Sequence, residues 1–310
     1  MQRIIITGGA GLVGQNLVVE LERRAVGALV SIDRHVANNS IMRRLHPQAT
    51  VIDADLSEPG AWQSSFRGAD AIVSLQAQIS GLGAEAFDRN TLRSTARVLE
   101  AALQYQVPYL LHVSSSVVNS RANDFYSRSK RAQERMIAGS GIRHCILRPT
   151  LMFGWFDRKH LGWLARLMRR SPVFPIPGHG QYLRQPLFEL DFCRIVATCL
   201  EQRREGTFDI SGLERVPYIE LVRQIRRITG ARTLLLPVPY GLFSWLLKTY
   251  ALFDRNPPFT AQQLAALVIP ELFDSVDWPQ EFGVAPTPLA VALERTFRER
   301  PYCDVVLERG

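Results

Sequence analysis

Through the first half of the chain, short apolar runs alternate with longer stretches in which apolar side chains return every three or four positions. The runs are Ile4-Ile5-Ile6, Leu29-Val30-Ser31-Ile32, Val51-Ile52, Ala71-Ile72-Val73, Tyr109-Leu110-Leu111-His112-Val113 and His144-Cys145-Ile146-Leu147. Short and rich in β-formers, they predict strands. Residues 12–24, about 91–105 and about 125–138 carry the helical period, and Pro108 and Gly141 stand shortly after the last two as stop signals. Parallel strands need crossover connections of a dozen or more residues, and right-handed crossovers put helices on both faces of the sheet. The expected fold is α/β, a doubly wound parallel sheet.

From about Gly154 the pattern changes. Pro172, Pro175, Pro177 and Gly178 break up residues 171–180, and Pro237, Pro239, Pro257 and Pro258 follow. These breaks predict a smaller, irregular C-terminal subdomain, with residues 1–153 forming the sheet domain and 154–310 mainly the second part. The chain is expected to return to the sheet around 187–212. Residues 240–253, YGLFSWLLKTYALF, are too few to span a bilayer and carry Lys248. A core helix accounts for them. The alternative is an interfacial patch with Trp155, Phe156, Trp163, Arg166, Arg169 and Arg170, which leaves contact with a membrane surface open.

Composition narrows the function classes. A chain of 310 residues with 46% apolar side chains can bury a full core. Residues 1–7 lack the basic stretch and apolar core of a signal peptide, so the cytoplasm is the expected compartment. The net charge of +8 is almost all arginine, only Lys130, Lys159 and Lys248 being lysines. With no basic run interleaved with aromatics, a nucleic-acid partner is not expected; an anionic small-molecule substrate is compatible. Cys145, Cys193, Cys199 and Cys303 form no C-x-x-C pair and the six histidines show no ligand spacing, so reduced thiols and no metal site are expected.

Thr7-Gly8-Gly9-Ala10-Gly11-Leu12-Val13-Gly14 follows the first strand and opens the first helix, the context a dinucleotide-binding loop requires. Its glycines permit a tight turn and close approach of the backbone to a pyrophosphate, while the helix N-terminus offers free N–H groups to the anion. Asp33 closes the second strand nineteen positions after Gly14. A carboxylate there accepts hydrogen bonds from ribose hydroxyls and repels a 2′-phosphate, which favours NAD over NADP; Arg34, Arg43 and Arg44 keep NADP as the minority option.

Tyr126 and Lys130 lie four residues apart, on one face of the third helix. An ammonium beside a phenol stabilises the phenolate and lowers the tyrosine pKa, allowing proton exchange with a substrate alcohol. Ser114-Ser115-Ser116 ends the preceding strand, where a hydroxyl can hold the substrate oxygen.

Together these motifs resemble the extended short-chain dehydrogenase/reductase family, in its NAD-dependent epimerase/dehydratase (nucleotide-sugar) branch, over most of the chain. The resemblance implies a Rossmann sheet with a C-terminal substrate-binding subdomain. It implies that Gly8, Gly11, Leu12, Val13, Gly14, Asp33, Asp55, Leu56 and Asn90 hold NAD together with Tyr126 and Lys130. Ser115, Tyr126 and Lys130 would be catalytic, with Ser116 and Arg184 contacting the substrate, Arg184 as an anion clamp. A homodimer pairing the helices at 91–105 and 125–138 is also implied.

The chain departs from the family at the substrate. Leu151 stands where many epimerases have asparagine, Asn119 replaces a tyrosine, and Ser74-Leu75-Gln76-Ala77 replaces His-Leu-Ala-Ala. Only eleven positions separate Ser115 from Tyr126, and Ser116-Val117 stands where sugar dehydratases carry an acidic pair, which disfavours dehydration. The expected function is oxidoreduction or epimerisation at a secondary alcohol or ketone of a nucleotide-linked sugar. Dehydrogenation of a hydrophobic, steroid-like or lipid-linked alcohol and a non-catalytic NAD-binding accessory role are the alternatives.

Overall fold

The computed structural model describes residues 3–79, 81, 83–253, 264, 268 and 272–308. Strand β1 (Arg3–Thr7) leads to helix α1 (Leu12–Arg23), then β2 (Ala28–Asp33), α2 (Val36–Leu45), β3 (Thr50–Asp53) and β4 (Ala71–Ser74). Helix α3 (Ala84–Phe87) and a π-helical turn, Asp88–Arg93, run into α4 (Ser94–Gln104); β5 (Leu110–Val113), α5 (Phe125–Ala138) and β6 (His144–Pro149) follow. The second half contains β7 (Met152–Phe153), α6 (Leu161–Arg170), β8 (Val173–Pro177), β9 (Leu183–Arg184), β10 (Leu187–Phe188), α7 (Glu189–Gln202) and β11 (Gly206–Ile210). Beyond these come β12 (Val216–Pro217), α8 (Tyr218–Thr229), β13 (Leu234–Val238), α9 (Tyr240–Phe253), α10 (Trp278–Phe282) and α11 (Leu289–Arg298).

Seven strands form one parallel sheet in the order β11-β6-β5-β4-β1-β2-β3, the doubly wound arrangement. The apolar run in β1 has its reason here, because β1 is central and both faces of the sheet are covered. Ile4 and Ile6 pack with Leu17, Val18 and Leu21 of α1 and with Phe192 and Ile195 of α7, while Ile5 points to the other face with Phe66, Val98 and Ala102. All three isoleucines are wholly buried, each contributing about 2 kcal/mol by removal from water. Helix α7 and β11 bring the chain back to the sheet, β11 pairing with β6 from Gly206↔Cys145 to Ile210↔Pro149.

A second apolar cluster gathers Phe153, Trp155, Phe156, Leu161, Phe174, Ile176, Tyr218, Val222, Ile225 and Leu293. Trp155 and Phe156 are enclosed in it, 1% and 2% exposed, and so contribute nothing to an interfacial patch. Helix α9 does the reverse of what a core helix would do: Leu242, Trp245 and Leu246 lie on its exposed surface. The apolar composition of the segment is shared by buried and interfacial helices; what packs against it decides between them.

Candidate active site

The order of strands reverses at β1, with β4 on one side and β2 on the other. At the carboxyl ends of these strands, where such sheets bind ligands, a cleft of about 550 Å³ opens. Gly8, Gly11, Leu12, Val13, Gly14, Asp33, Asp55, Leu56, Asn90, Ser115, Ser116 and Tyr126 all line it. Of the cofactor, catalytic and substrate residues that the resemblance implies, Lys130 and Arg184 do not.

The glycine loop is shaped by close approach. Gly8 has φ +74°, and a Cβ there would sit 2.5 Å from the Gln76 backbone nitrogen; a Cβ on Gly14 would sit 2.2 Å from Gly9 O. Helix α1 starts from Gly11 with no side-chain cap, so its first N–H groups have no side-chain acceptor. Asp33 anchors the loop from β2, Oδ2 accepting from Ala10 N at 3.1 Å and Oδ1 from His35 N at 3.0 Å. Burial pushes its carboxyl pKa up, against the opposing effect of these backbone bonds. An uncapped helix end for a pyrophosphate and an acid at the end of β2 for ribose hydroxyls fit a dinucleotide.

Asn90 lies in the π-helical turn, donating to Gln78 Oε1 at 2.8 Å and accepting from Arg34 Nη1 at 2.7 Å. Asp55 is tied to its own loop, accepting from Ser57 N and Oγ and pairing with Arg89 at 2.9 Å. Burial raises its pKa, but the Ser57 bonds and the Arg89 and Arg34 charges outweigh this and hold it below the usual range.

Asp124 caps α5 by accepting from Ser127 N at 2.8 Å, which sets Tyr126 in the first turn, half-buried at the cleft wall. Ser115 caps the short turn Ser116–Asn119, its hydroxyl accepting from Val117 N at 3.3 Å, and lines the cleft with Tyr126. The phenol pKa is raised, chiefly by burial, with the nearby Ser115 hydroxyl opposing. A depression by Lys130, as the shared helix face predicts, is not what the geometry gives.

Lys130 is 1% exposed, and its ammonium turns behind the wall of the cleft. It donates to Val113 O at 3.0 Å and to Gln133 Oε1 at 2.6 Å, and lies 3.4 Å from His112 Nε2. Burial pushes its pKa down to about 7, against a smaller upward pull from Glu134. The His112 pKa falls well below its ordinary value through burial and the adjacent Lys130 charge. The physical reason is reach: a long side chain passes Val113 and finds oxygen acceptors in the layer between α5 and the sheet.

Sequence reasoning missed the polar chain in that layer. Gln133 Nε2 donates to Thr95 Oγ1 at 2.8 Å and to Gln76 O at 3.1 Å, and Gln76 Oε1 accepts from Thr7 Oγ1 at 2.6 Å. It runs from the glycine loop to Lys130. Its only sequence signal is isolated polar residues at the ends of apolar elements.

At the other end of the cleft stand Leu151, Met152, His160 and Phe273, with Leu151 38% exposed. The buried Ser114 Oγ and Thr150 Oγ1, on residues that line the cleft, have no hydrogen-bond partner among the described residues. Arg184 is elsewhere: β9 pairs with β12, and the guanidinium lies over the Tyr182 ring, 5.2 Å from its centroid and 7% exposed overall.

Residues 4–211 match the family model described as the NAD dependent epimerase/dehydratase family. NADH dehydrogenase (ubiquinone) 1 alpha subcomplex subunit 9, mitochondrial, of Mus musculus is 23% identical over 311 residues, spanning 96% of this chain and 80% of its own length. UDP-glucose 4-epimerase of Vibrio cholerae is 22% identical over 283 residues, 81% of this chain and 84% of its own. The crystal structure of UDP-glucuronic acid 4-epimerase from Bacillus cereus in complex with NAD shares the fold at a TM-score of 0.74 and 18% identity, covering 95% of this chain and 97% of that one.

Proposed function

The chain belongs to the NAD dependent epimerase/dehydratase family, an extended short-chain dehydrogenase/reductase enzyme with NAD as cofactor, and we propose that it oxidises or epimerises a secondary alcohol of a nucleotide-linked sugar through Tyr126. The observation that carries this reading is that Tyr126 and Ser115 line the same cleft as Gly8, Gly11, Gly14 and Asp33. NAD, when bound, supplies hydride acceptance and return. Gly8, Gly11, Leu12, Val13, Gly14, Asp33, Asp55, Leu56 and Asn90 are the residues that would hold it.

Tyr126 exchanges a proton at its phenolic oxygen with the substrate oxygen, which the Ser115 hydroxyl holds in place and Ser116 flanks. Lys130 stands behind the wall, its ammonium donating to Val113 O, and with a pKa near 7 its charge is itself responsive to pH. Oxidation with release of a ketone and epimerisation by return to the other face use the same acceptor. Elimination of water would need a further acid and base, which Ser116 and Val117 do not supply.

Replacing Tyr126 with Phe is expected to lower turnover by about 10²- to 10⁴-fold while NAD still binds. Undiminished turnover removes the reading. A second substrate class, a hydrophobic alcohol, is favoured by one observation: Leu151, Met152 and Phe273 line the cleft while Arg184 lies outside it. Thermal shift and turnover with UDP-, GDP- and dTDP-sugars beside steroid alcohols separate the two. Wild-type protein that binds NAD but turns over neither class assigns a non-catalytic role. We infer a homodimer through α4 and α5, with Leu103 on α4 exposed; a monomeric mass by light scattering overturns it.

A further inference from the structure

Helix α9 carries apolar side chains outward. Leu242, Trp245 and Leu246 are 49%, 60% and 46% exposed, and their i, i+3, i+4 spacing sets them on one face. A surface helix bathed by water shows the opposite arrangement. Its one charged residue, Lys248, is also exposed. Further apolar side chains are exposed on the strand that precedes α9 and on its partner: Leu234 and Leu236 of β13, and Val173, which pairs with Leu234 in the β8–β13 register. Single exposed leucines are ordinary, but three large apolar side chains on one face of a helix mark a surface that meets something apolar.

The surroundings of Leu234 are basic. Arg169 and Arg170 end α6 just before Pro172, whose carbonyl accepts from Leu234 N at 2.8 Å. Arg223, Arg226 and Arg227 of α8 line a concavity of about 920 Å³ together with Leu234 and Leu235. From Arg215 to residue 253 the chain carries six basic side chains and one acidic one, Glu220.

We infer that this face docks on the surface of an anionic lipid bilayer. Exposed Trp and Leu side chains match the boundary between headgroups and acyl chains, and arginines beside them match phosphate oxygens. The contact is peripheral, since no helix among the described residues is long and apolar enough to cross a membrane. A second copy of the chain fits less well, because two-fold pairing through this face would bring the two sets of arginines together. The inference is independent of the catalytic reading.

Flotation of the full chain with vesicles tests it. Binding is expected to vesicles of phosphatidylglycerol mixed with phosphatidylcholine and not to phosphatidylcholine alone, and it should weaken as salt is raised. The double variant Trp245→Glu with Leu246→Glu should lose flotation, with NAD binding retained as the check on folding. Arg223→Gln with Arg227→Gln should bind roughly thirtyfold more weakly. No flotation on the anionic vesicles overturns the inference, and so does flotation that survives the Trp245/Leu246 variant. A concentration-dependent dimer mass that this variant abolishes, without vesicle binding by the wild type, assigns the face to a second copy instead.

Discussion

Lys130 Nζ donates to Gln133 Oε1 at 2.6 Å, three residues further along α5, and Gln133 is held in turn by donation to Thr95 Oγ1 at 2.8 Å. Gln133 therefore sets where the only buried lysine charge of the site rests. Replacing it with Leu removes an acceptor from a buried ammonium, with an expected loss of about 2 kcal/mol of stability in urea denaturation. Gln133→Glu keeps the shape and adds a negative charge, which favours the charged ammonium. The pH profile of turnover should then move upward in the Glu variant; an unmoved profile would deny Gln133 its positioning role.

Glu189 gives a pH dependence of stability. It is 0% exposed, both carboxyl oxygens lack a hydrogen-bond partner among the described residues, and burial, with the Asp157 charge adding to it, pushes its pKa up to about 8. The folded state then holds a proton that the unfolded state releases near the ordinary carboxyl value of 4.5, so stability falls as pH rises between 4.5 and about 8. Lys130 works in the opposite sense: depressed to about 7 from 10.5, it adds stability as pH rises above 7. Glu189→Gln should remove the loss from pH 5 to 7, a difference on the order of a few kcal/mol. Thermal melts of both proteins at pH 5 and pH 7 give the comparison, and parallel curves would show that the carboxyl is ionised in the fold.

Gly8→Ala should cost about 2 kcal/mol or more and weaken NAD binding. The positive φ disfavours any side chain, and a Cβ 2.5 Å from Gln76 N must push β4's outgoing chain away from the loop. Calorimetric NAD titration equal to that of the wild type would mean the loop absorbs the methyl.

Asp33→Ser should shift preference from NAD toward NADP by roughly tenfold or more, the equivalent of one charge-assisted hydrogen bond. Arg34 already lines the cleft beside it. Because Asp33 also accepts from Ala10 N, NAD affinity itself should fall. An unchanged ratio of the two affinities refutes the ribose assignment.

The sequence by itself determined the elements and their order. Six runs of local apolar pattern became β1 to β6, and the helical period over 125–138 reappears as α5, because a strand or helix is specified by side chains a few positions apart. The glycine loop and Asp33 were legible for the same reason: their chemistry is bound to the strand ends on which they stand. What only the tertiary structure decided was the direction and surroundings of single side chains. Lys130 shares a helix face with Tyr126, yet its ammonium goes to Val113 and Gln133. Arg184 follows the β9–β12 pairing onto Tyr182, away from the cleft. The segment Tyr240–Phe253 has the composition of a core helix and turns Leu242, Trp245 and Leu246 outward. Spacing along the chain records which residues share a face; only packing against distant segments determines whether that face meets protein, a ligand cleft or the surroundings.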